Sequence, residues 1–192
     1  MVGVYKKLAK SGFVPRCSDA FALDEYDGIA PSDSNSYAKE LHREFSKGLG
    51  WRGEIHVPGQ GKYSGEEGPT IFEEAIAELG PLSVQLLGLG VNGHVAFNEP
   101  GSAFNSRTRR VKLHMETIEA NSVHFDDVSL VPTHAVSQGL ATISRATTLL
   151  LLVFGAAKVE ALTRAVRDPG LTTPFAAFAD HPDLNLITDI NL

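Results

Sequence analysis

A histidine and a glutamate stand five residues apart in the stretch from Gly88 to Gly101, GLGVNGHVAFNEPG. Imidazole is the side chain best suited to moving protons near neutral pH, and a carboxylate beside it fixes its tautomer and raises its basicity. His94 and Glu99 therefore fit an acid–base pair. They fit equally well a hydrogen-bonded pair that only holds a loop together, and spacing alone does not separate the two. Gly90 and Gly93 let backbone approach a ligand closely. The first six residues of the stretch also satisfy G-x-G-x-x-G, which binds dinucleotides where a helix begins inside the glycine loop. Here Pro100 and Gly101 break any such helix within two turns, so the nucleotide reading is set aside. A second polar cluster, Asp24-Glu25-Tyr26-Asp27-Gly28, follows the apolar run Ala20 to Leu23.

These groups need elements to position them. The apolar run Val84 to Leu89, just before the histidine loop, predicts a strand covered on both faces. Further strands are expected over Ala20 to Leu23, Glu54 to Val57, Arg109 to Leu113, Ala135 to Leu140, Thr148 to Phe154 and Leu184 to Thr188. Helical spacing marks Pro69 to Leu79 and Ala156 to Arg167, with a shorter helix over Thr117 to Ser122. Val4 to Lys10 read as the end of a helix stopped by Gly12, and Ser32 to Asn35 offer N-caps for a helix over Ser36 to Ser46. Strands alternating with helices give an α/β fold with a mostly parallel sheet flanked by helices. Both polar clusters sit just past strand ends, where open α/β sheets bind their ligands.

The 192 residues suit one domain with a sizeable core, residues 1–192. A formal net charge of −6 gives no electrostatic support for nucleic-acid binding. The single cysteine, Cys17, rules out an internal disulfide and suits the cytoplasm. The N-terminal residues lack a signal-peptide core, and no apolar run is long enough to span a bilayer, so no membrane partner is expected. His114, His124 and His134 recur every ten residues, which matches no zinc-ligand pattern, so no metal is expected. Phe97 reads as a packing residue.

The motif HVAFNEPGS, preceded by GLGVNG and by the distant LDEY, closely resembles the glucosamine-6-phosphate deaminase family, within the larger group of sugar-phosphate isomerases and 6-phosphogluconolactonases. The likeness continues through SRTRR, EANS, FGAAK and HPDLNLITD, over essentially the whole chain. It implies a modified Rossmann-like fold and conversion of glucosamine 6-phosphate and water to fructose 6-phosphate and ammonia, with no cofactor. Asp24 matches the base that shuttles a proton between C2 and C1. His94 matches the ring-opening acid–base, Glu99 its supporting carboxylate, and Lys158 a phosphate-binding lysine at the start of a helix. Asn92 stands where one branch of the family has aspartate. Its amide is suited to orienting His94 or binding a sugar hydroxyl, and it adds no negative charge beside the imidazole. The resemblance leaves room for a homo-oligomer.

Two alternatives remain beside this reading. One is a 6-phosphogluconolactonase-like hydrolase, disfavoured by Tyr26 and the FNEP continuation, because lactonases tend to carry Asp-Glu-Arg where this chain has Asp24-Glu25-Tyr26. The other is an inactive sugar-phosphate-binding relative. Relative to the family pattern, the chain is expected to lack the first strand with its Gly-Ser/Thr-Pro phosphate loop and a C-terminal helical segment. Val123 follows Ala120-Asn121-Ser122 where an arginine is common, and Lys112 is displaced by one place from the pattern around Arg107 and Arg109.

Overall fold

The computed structural model describes residues 2–167 and 173–191. The chain forms two compact units, one of Met1–Phe72 with Arg110–Val136 and one of Glu73–Arg109 with Ser137–Leu192. The elements run α1 (Val2–Lys10), β1 (Asp19–Phe21), β2 (Asp24–Tyr26), α2 (Tyr37–Leu41), β3 (Glu54–His56), α3 (Gly68–Leu79), β4 (Val84–Gly88), β5 (Arg109–Lys112), α4 (Met115–Asn121), β6 (His134–Ser137), α5 (Leu140–Ile143), β7 (Thr148–Val153), α6 (Val159–Arg167) and β8 (Leu184–Thr188). Among the described residues, no helix is long and apolar enough to cross a membrane.

In the first unit β1 pairs with β3 in parallel, Asp19 opposite Glu54 and Phe21 opposite His56, and a second sheet has the order β2-β6-β5. Ala22, Ala38 and Val57 form a small core with Leu41 and Ile55 packed on it. The unit also holds aromatic contacts: Tyr5 and Trp51 meet Phe45, and Phe72 meets Phe21 and Tyr63. The cap of α2 is Ser36, not a residue of Ser32 to Asn35, and the predicted helix changes at Leu41 into a wider π-helical turn over His42–Lys47.

His56 lies with Asp19 and Glu54 in a group whose potential ligand atoms are all within 4.8 Å of one another, a cluster the sequence reading did not find. Both ring nitrogens are already engaged. Nε2 is 2.8 Å from Asp19 Oδ1 and Nδ1 is 2.8 Å from the Tyr63 hydroxyl. The ring also stacks on Phe21. A metal would have to displace one of these bonds at the buried His56, so the cluster reads as a structural clamp between β1 and β3.

In the second unit β7 is the centre of a parallel sheet of order β4-β7-β8. Its sequence TLLLLV alternates, with Leu149, Leu151 and Val153 buried. Strand β4 also alternates instead of being covered on both faces, because Val84 is exposed and Leu87 is fully buried. The predicted strand from Ala135 to Leu140 stops at Ser137, and Leu140 opens a helical turn instead. Gly139 makes that turn, and a side chain there would collide with the backbone of Ser106 and Arg107. Helix α6 buries Ala161, Leu162 and Ala165 on one face and ties Arg164 to Glu160 on the other.

Parallel pairing places the carboxyl ends of β4, β7 and β8 along one edge of this sheet. The loop bearing His94 leaves β4 at that edge. The Gly155 turn leading to Lys158 leaves β7, and Asp189 leaves β8 and accepts a hydrogen bond from the Gly155 N–H at 2.9 Å.

Candidate active site

The turn after β4 is built around glycine. The Gly90 N–H donates to the His94 carbonyl at 2.8 Å, the Gly93 N–H donates to the Gly90 carbonyl at 3.1 Å, and Gly93 has φ 90°. A β-carbon at Gly90 would overlap the His94 imidazole, so the ring rests against a bare Cα. Both N–H groups are consumed inside the turn. The two glycines expected to contact substrate thus first serve to seat the histidine.

Asn92, His94 and Glu99 are brought together. The Asn92 Nδ2 group donates to Glu99 Oε2 at 2.8 Å. Asn92 Oδ1 lies 2.8 Å from His94 Nδ1 and also accepts the His94 backbone N–H at 3.0 Å. A carboxylate only accepts, so the amide must turn its NH₂ toward Glu99 and its oxygen toward His94. That oxygen requires the proton on Nδ1 and assigns proton exchange to Nε2. Glu99 itself stands 3.7 Å from His94 Nδ1. The hydrogen-bonded link between the two runs through Asn92, which the sequence left undivided between orienting His94 and binding a hydroxyl.

The loop returns through a tight turn at Val95–Asn98, closed by reciprocal backbone bonds of 3.2 and 3.0 Å. Ala96 within it has φ 53°, the sole non-glycine in the left-handed region among the described residues. Phe97 is buried, as its packing role required.

Asp24 belongs to the first unit and is half-buried at the start of β2. Its carboxyl is pushed up to about 7, chiefly by desolvation and secondly by the charge of Glu25. Tyr26 is buried against Tyr37 and Phe125. Burial also raises the Tyr26 and Tyr37 hydroxyls, with the Asp24 charge contributing to both.

Glu25, adjacent to Asp24, has a different role that the sequence did not reveal. It is fully buried, and its Oε1 accepts the N–H groups of Tyr26 at 2.9 Å and Tyr37 at 3.1 Å. Its Oε2 accepts from Ser36 Oγ at 2.8 Å, the Ala38 N–H at 2.9 Å and Gln60 Nε2 at 2.9 Å. The carboxylate thus caps the first turn of α2 and pins the loop after β3, holding β2 and Asp24 in place.

Lys158 ends the helical turn Ala156–Lys158 that leads into α6, at the start of a helix as expected. It is half-buried, and burial lowers its ammonium pKa, with no carboxylate contributing among the described residues. An anion would supply the missing compensation.

The chain matches the family model described as glucosamine-6-phosphate isomerases/6-phosphogluconolactonase over residues 5–186. A glucosamine-6-phosphate deaminase of Corynebacterium aurimucosum is 40% identical over 174 residues, covering 90% of this chain and 68% of the relative. One from Listeria monocytogenes is 35% identical over 187 residues, covering 97% of this chain and 79% of the relative. The solved structure of a monomeric glucosamine-6-phosphate deaminase superposes with a TM-score of 0.89 at 31% identity, covering 97% of this chain and 80% of that one. A 6-phosphogluconolactonase from Shewanella baltica shares the fold at 12% identity, with a TM-score of 0.72 and coverage of 97% and 78%. The agreement in fold and in sequence along nearly its whole length makes the chain a member of the glucosamine-6-phosphate isomerase/6-phosphogluconolactonase family.

Proposed function

We propose that the chain is a deaminating aldose–ketose isomerase that converts glucosamine 6-phosphate and water to fructose 6-phosphate and ammonia. The observation that carries this reading is the Glu99–Asn92–His94 chain, which fixes one imidazole tautomer and reserves Nε2 for proton exchange. His94 opens the pyranose by moving a proton between the C1 hydroxyl and the ring oxygen. Asp24 removes the C2 proton of the open-chain aldehyde, giving an enolamine, and returns it to C1. The resulting C2 imine adds water and expels ammonia, leaving the ketone. A carboxyl raised to about 7 is matched to taking and returning one proton near neutral pH. Lys158, half-buried at the start of a helix, is assigned to the phosphate. Gly90 and Gly93 contribute by shaping the turn, and any contact they make with substrate is through carbonyl or Cα.

Tyr26 supports this reading over lactone hydrolysis. It is packed between Tyr37 and Phe125, where the arginine typical of lactonases would have to bury its charge. Relatives carrying the deaminase name reach 41% identity, whereas the lactonase structure from Shewanella baltica shows the fold alone. We place the protein in the cytoplasm as a metabolic enzyme acting on a small sugar phosphate, with self-association left to measurement.

The test is ammonia release from glucosamine 6-phosphate by the purified chain. Asp24→Asn is expected to abolish it while sugar-phosphate binding persists. His94→Gln is expected to slow the cyclic substrate far more than an open-chain analogue. Hydrolysis of 6-phosphogluconolactone without ammonia release from the amino sugar would overturn the assignment.

A further inference from the structure

The proton relay rests on a second buried amide. Asn98 immediately precedes Glu99 and is fully buried. Its Nδ2 donates to the Val95 carbonyl at 3.0 Å and to the Gln138 carbonyl at 2.8 Å. Its Oδ1 accepts from Arg109 Nη1 at 2.9 Å. Guanidinium only donates, so Arg109 fixes which way the Asn98 amide faces, as Glu99 does for Asn92. Arg109 is partly buried, and desolvation lowers its pKa. Its charge is directed at a neutral amide and at the Arg107 carbonyl, 3.3 Å away.

Arg109 is itself held. Glu73 on α3 accepts from Arg107 Nε at 3.1 Å and Nη2 at 2.7 Å, and from the Thr108 N–H at 2.8 Å and Oγ1 at 2.6 Å, with Thr142 Oγ1 completing the set. The Arg107 side chain and the Thr108 backbone are thereby clamped just before the arginine. On the other side, the Phe97 N–H donates to Ser137 Oγ at 3.2 Å. The Val95–Asn98 turn, with Ala96 in a conformation L-residues rarely adopt, is therefore tied to neighbouring segments at Phe97 and at Asn98.

We infer that Arg109 is a positioning residue for His94: through Asn98 it holds the Val95–Asn98 turn and so aims the Glu99 carboxylate at Asn92. The inference rests on the reading of His94 as an acid–base group, and part of its test does not. Misaim of Glu99 releases the Asn92 amide, which can then flip, and the imidazole then loses its single tautomer. Proton transfer at Nε2 falls while affinity for substrate, which Arg109 does not touch in this scheme, stays.

The experiment compares wild type, Arg109→Gln and Arg109→Lys. Imidazole ¹⁵N shifts of His94, assigned with His94→Gln, report the tautomer without any substrate. Steady-state ammonia release from glucosamine 6-phosphate gives kcat and KM. Wild type should show one neutral tautomer, with hydrogen on Nδ1. Arg109→Gln should show a tautomer mixture and a kcat lower by roughly 10²-fold, the scale of a displacement near 1 Å, with KM changed less than about threefold. Arg109→Lys, which still donates to Asn98, should restore the tautomer and most of kcat. A single Nδ1–H tautomer in Arg109→Gln overturns the inference, as does a loss in KM alone. If Arg109→Gln does not fold, Arg109→Lys decides: a retained tautomer supports the inference and a mixture overturns it. Absence of ammonia release by wild type overturns the functional reading, and the ¹⁵N spectra then decide the positioning on their own.

Discussion

Glu25 offers the most direct test of how the site is held. Its truncation to alanine strands five donors: three backbone N–H groups, the Ser36 hydroxyl and the Gln60 amide. Hydrogen bonds to a charged partner contribute about 1.5–3 kcal/mol each, and an orphaned buried donor costs about 1–3 kcal/mol. The five are not additive, because water entering the space left by the side chain satisfies those nearest the surface. Two donors left dry, plus the lost charge at a helix N-terminus, give a destabilisation of about 3–5 kcal/mol. That is a large share of the roughly 5–15 kcal/mol that stabilises an ordinary domain. Glu25→Gln keeps the volume but sets an NH₂ against converging donors, and should lose about 2 kcal/mol. Trp51, the single tryptophan, lies in the same unit as Glu25, so its fluorescence during urea unfolding reports the relevant transition. Loss of less than about 1 kcal/mol in Glu25→Ala would refute the anchoring role. A ¹³C carboxyl titration of Glu25→Gln supplies a second check. Asp24 should titrate lower than in wild type yet above an ordinary carboxyl, because desolvation is the first cause of its shift and Glu25 only the second.

Other consequences follow from the same geometry. Asp24 is raised to about 7 from 3.8, so the folded state retains a proton that the unfolded chain has released; its stabilising contribution is full below about pH 4 and lost as pH rises through 7. Asp24→Asn should remove that slope, so that urea midpoints at pH 8 are no lower than wild type, while wild-type kcat/KM climbs with an apparent pKa near 7. Gly90→Ala should displace the His94 ring and cut ammonia release at least about 10²-fold with a thermal midpoint within a few degrees of wild type. Asn92→Asp places a second carboxylate beside Glu99 and His94, so the imidazole should stay protonated to higher pH in an NMR titration. An unchanged His94 titration would show that Asn92 is not its partner in solution.

The parts of the site that the sequence disclosed are those whose partners are close along the chain. Asn92, His94 and Glu99 meet within one loop, and Lys158 sits where glycine followed by a helical pattern placed it. The parts it concealed depend on distant partners. In FEEAIAEL, Glu73 and Glu74 look alike, yet Glu73 is buried to hold Thr108 and Thr142, 35 and 69 residues away. His56 finds Asp19 at a separation of 37 residues, which no ligand spacing encodes. Alternation along β4 was obscured because Val84-Gln85-Leu86-Leu87 is apolar enough to read as covered on both sides, whereas it buries Gln85 and exposes Val84.

Strand β2 holds two carboxylates in successive positions, and a strand turns successive residues to opposite sides. One rung of backbone therefore separates the proposed proton carrier from a capping anchor. Gaining or losing a single residue in the Ala22-Leu23 link between β1 and β2 would exchange their directions. The longer glutamate arm would then occupy the desolvated place of Asp24, and the shorter aspartate would fall short of the α2 amides. Point substitutions at Ala22 or Leu23 change packing by degrees, whereas an insertion or deletion there removes both roles at once.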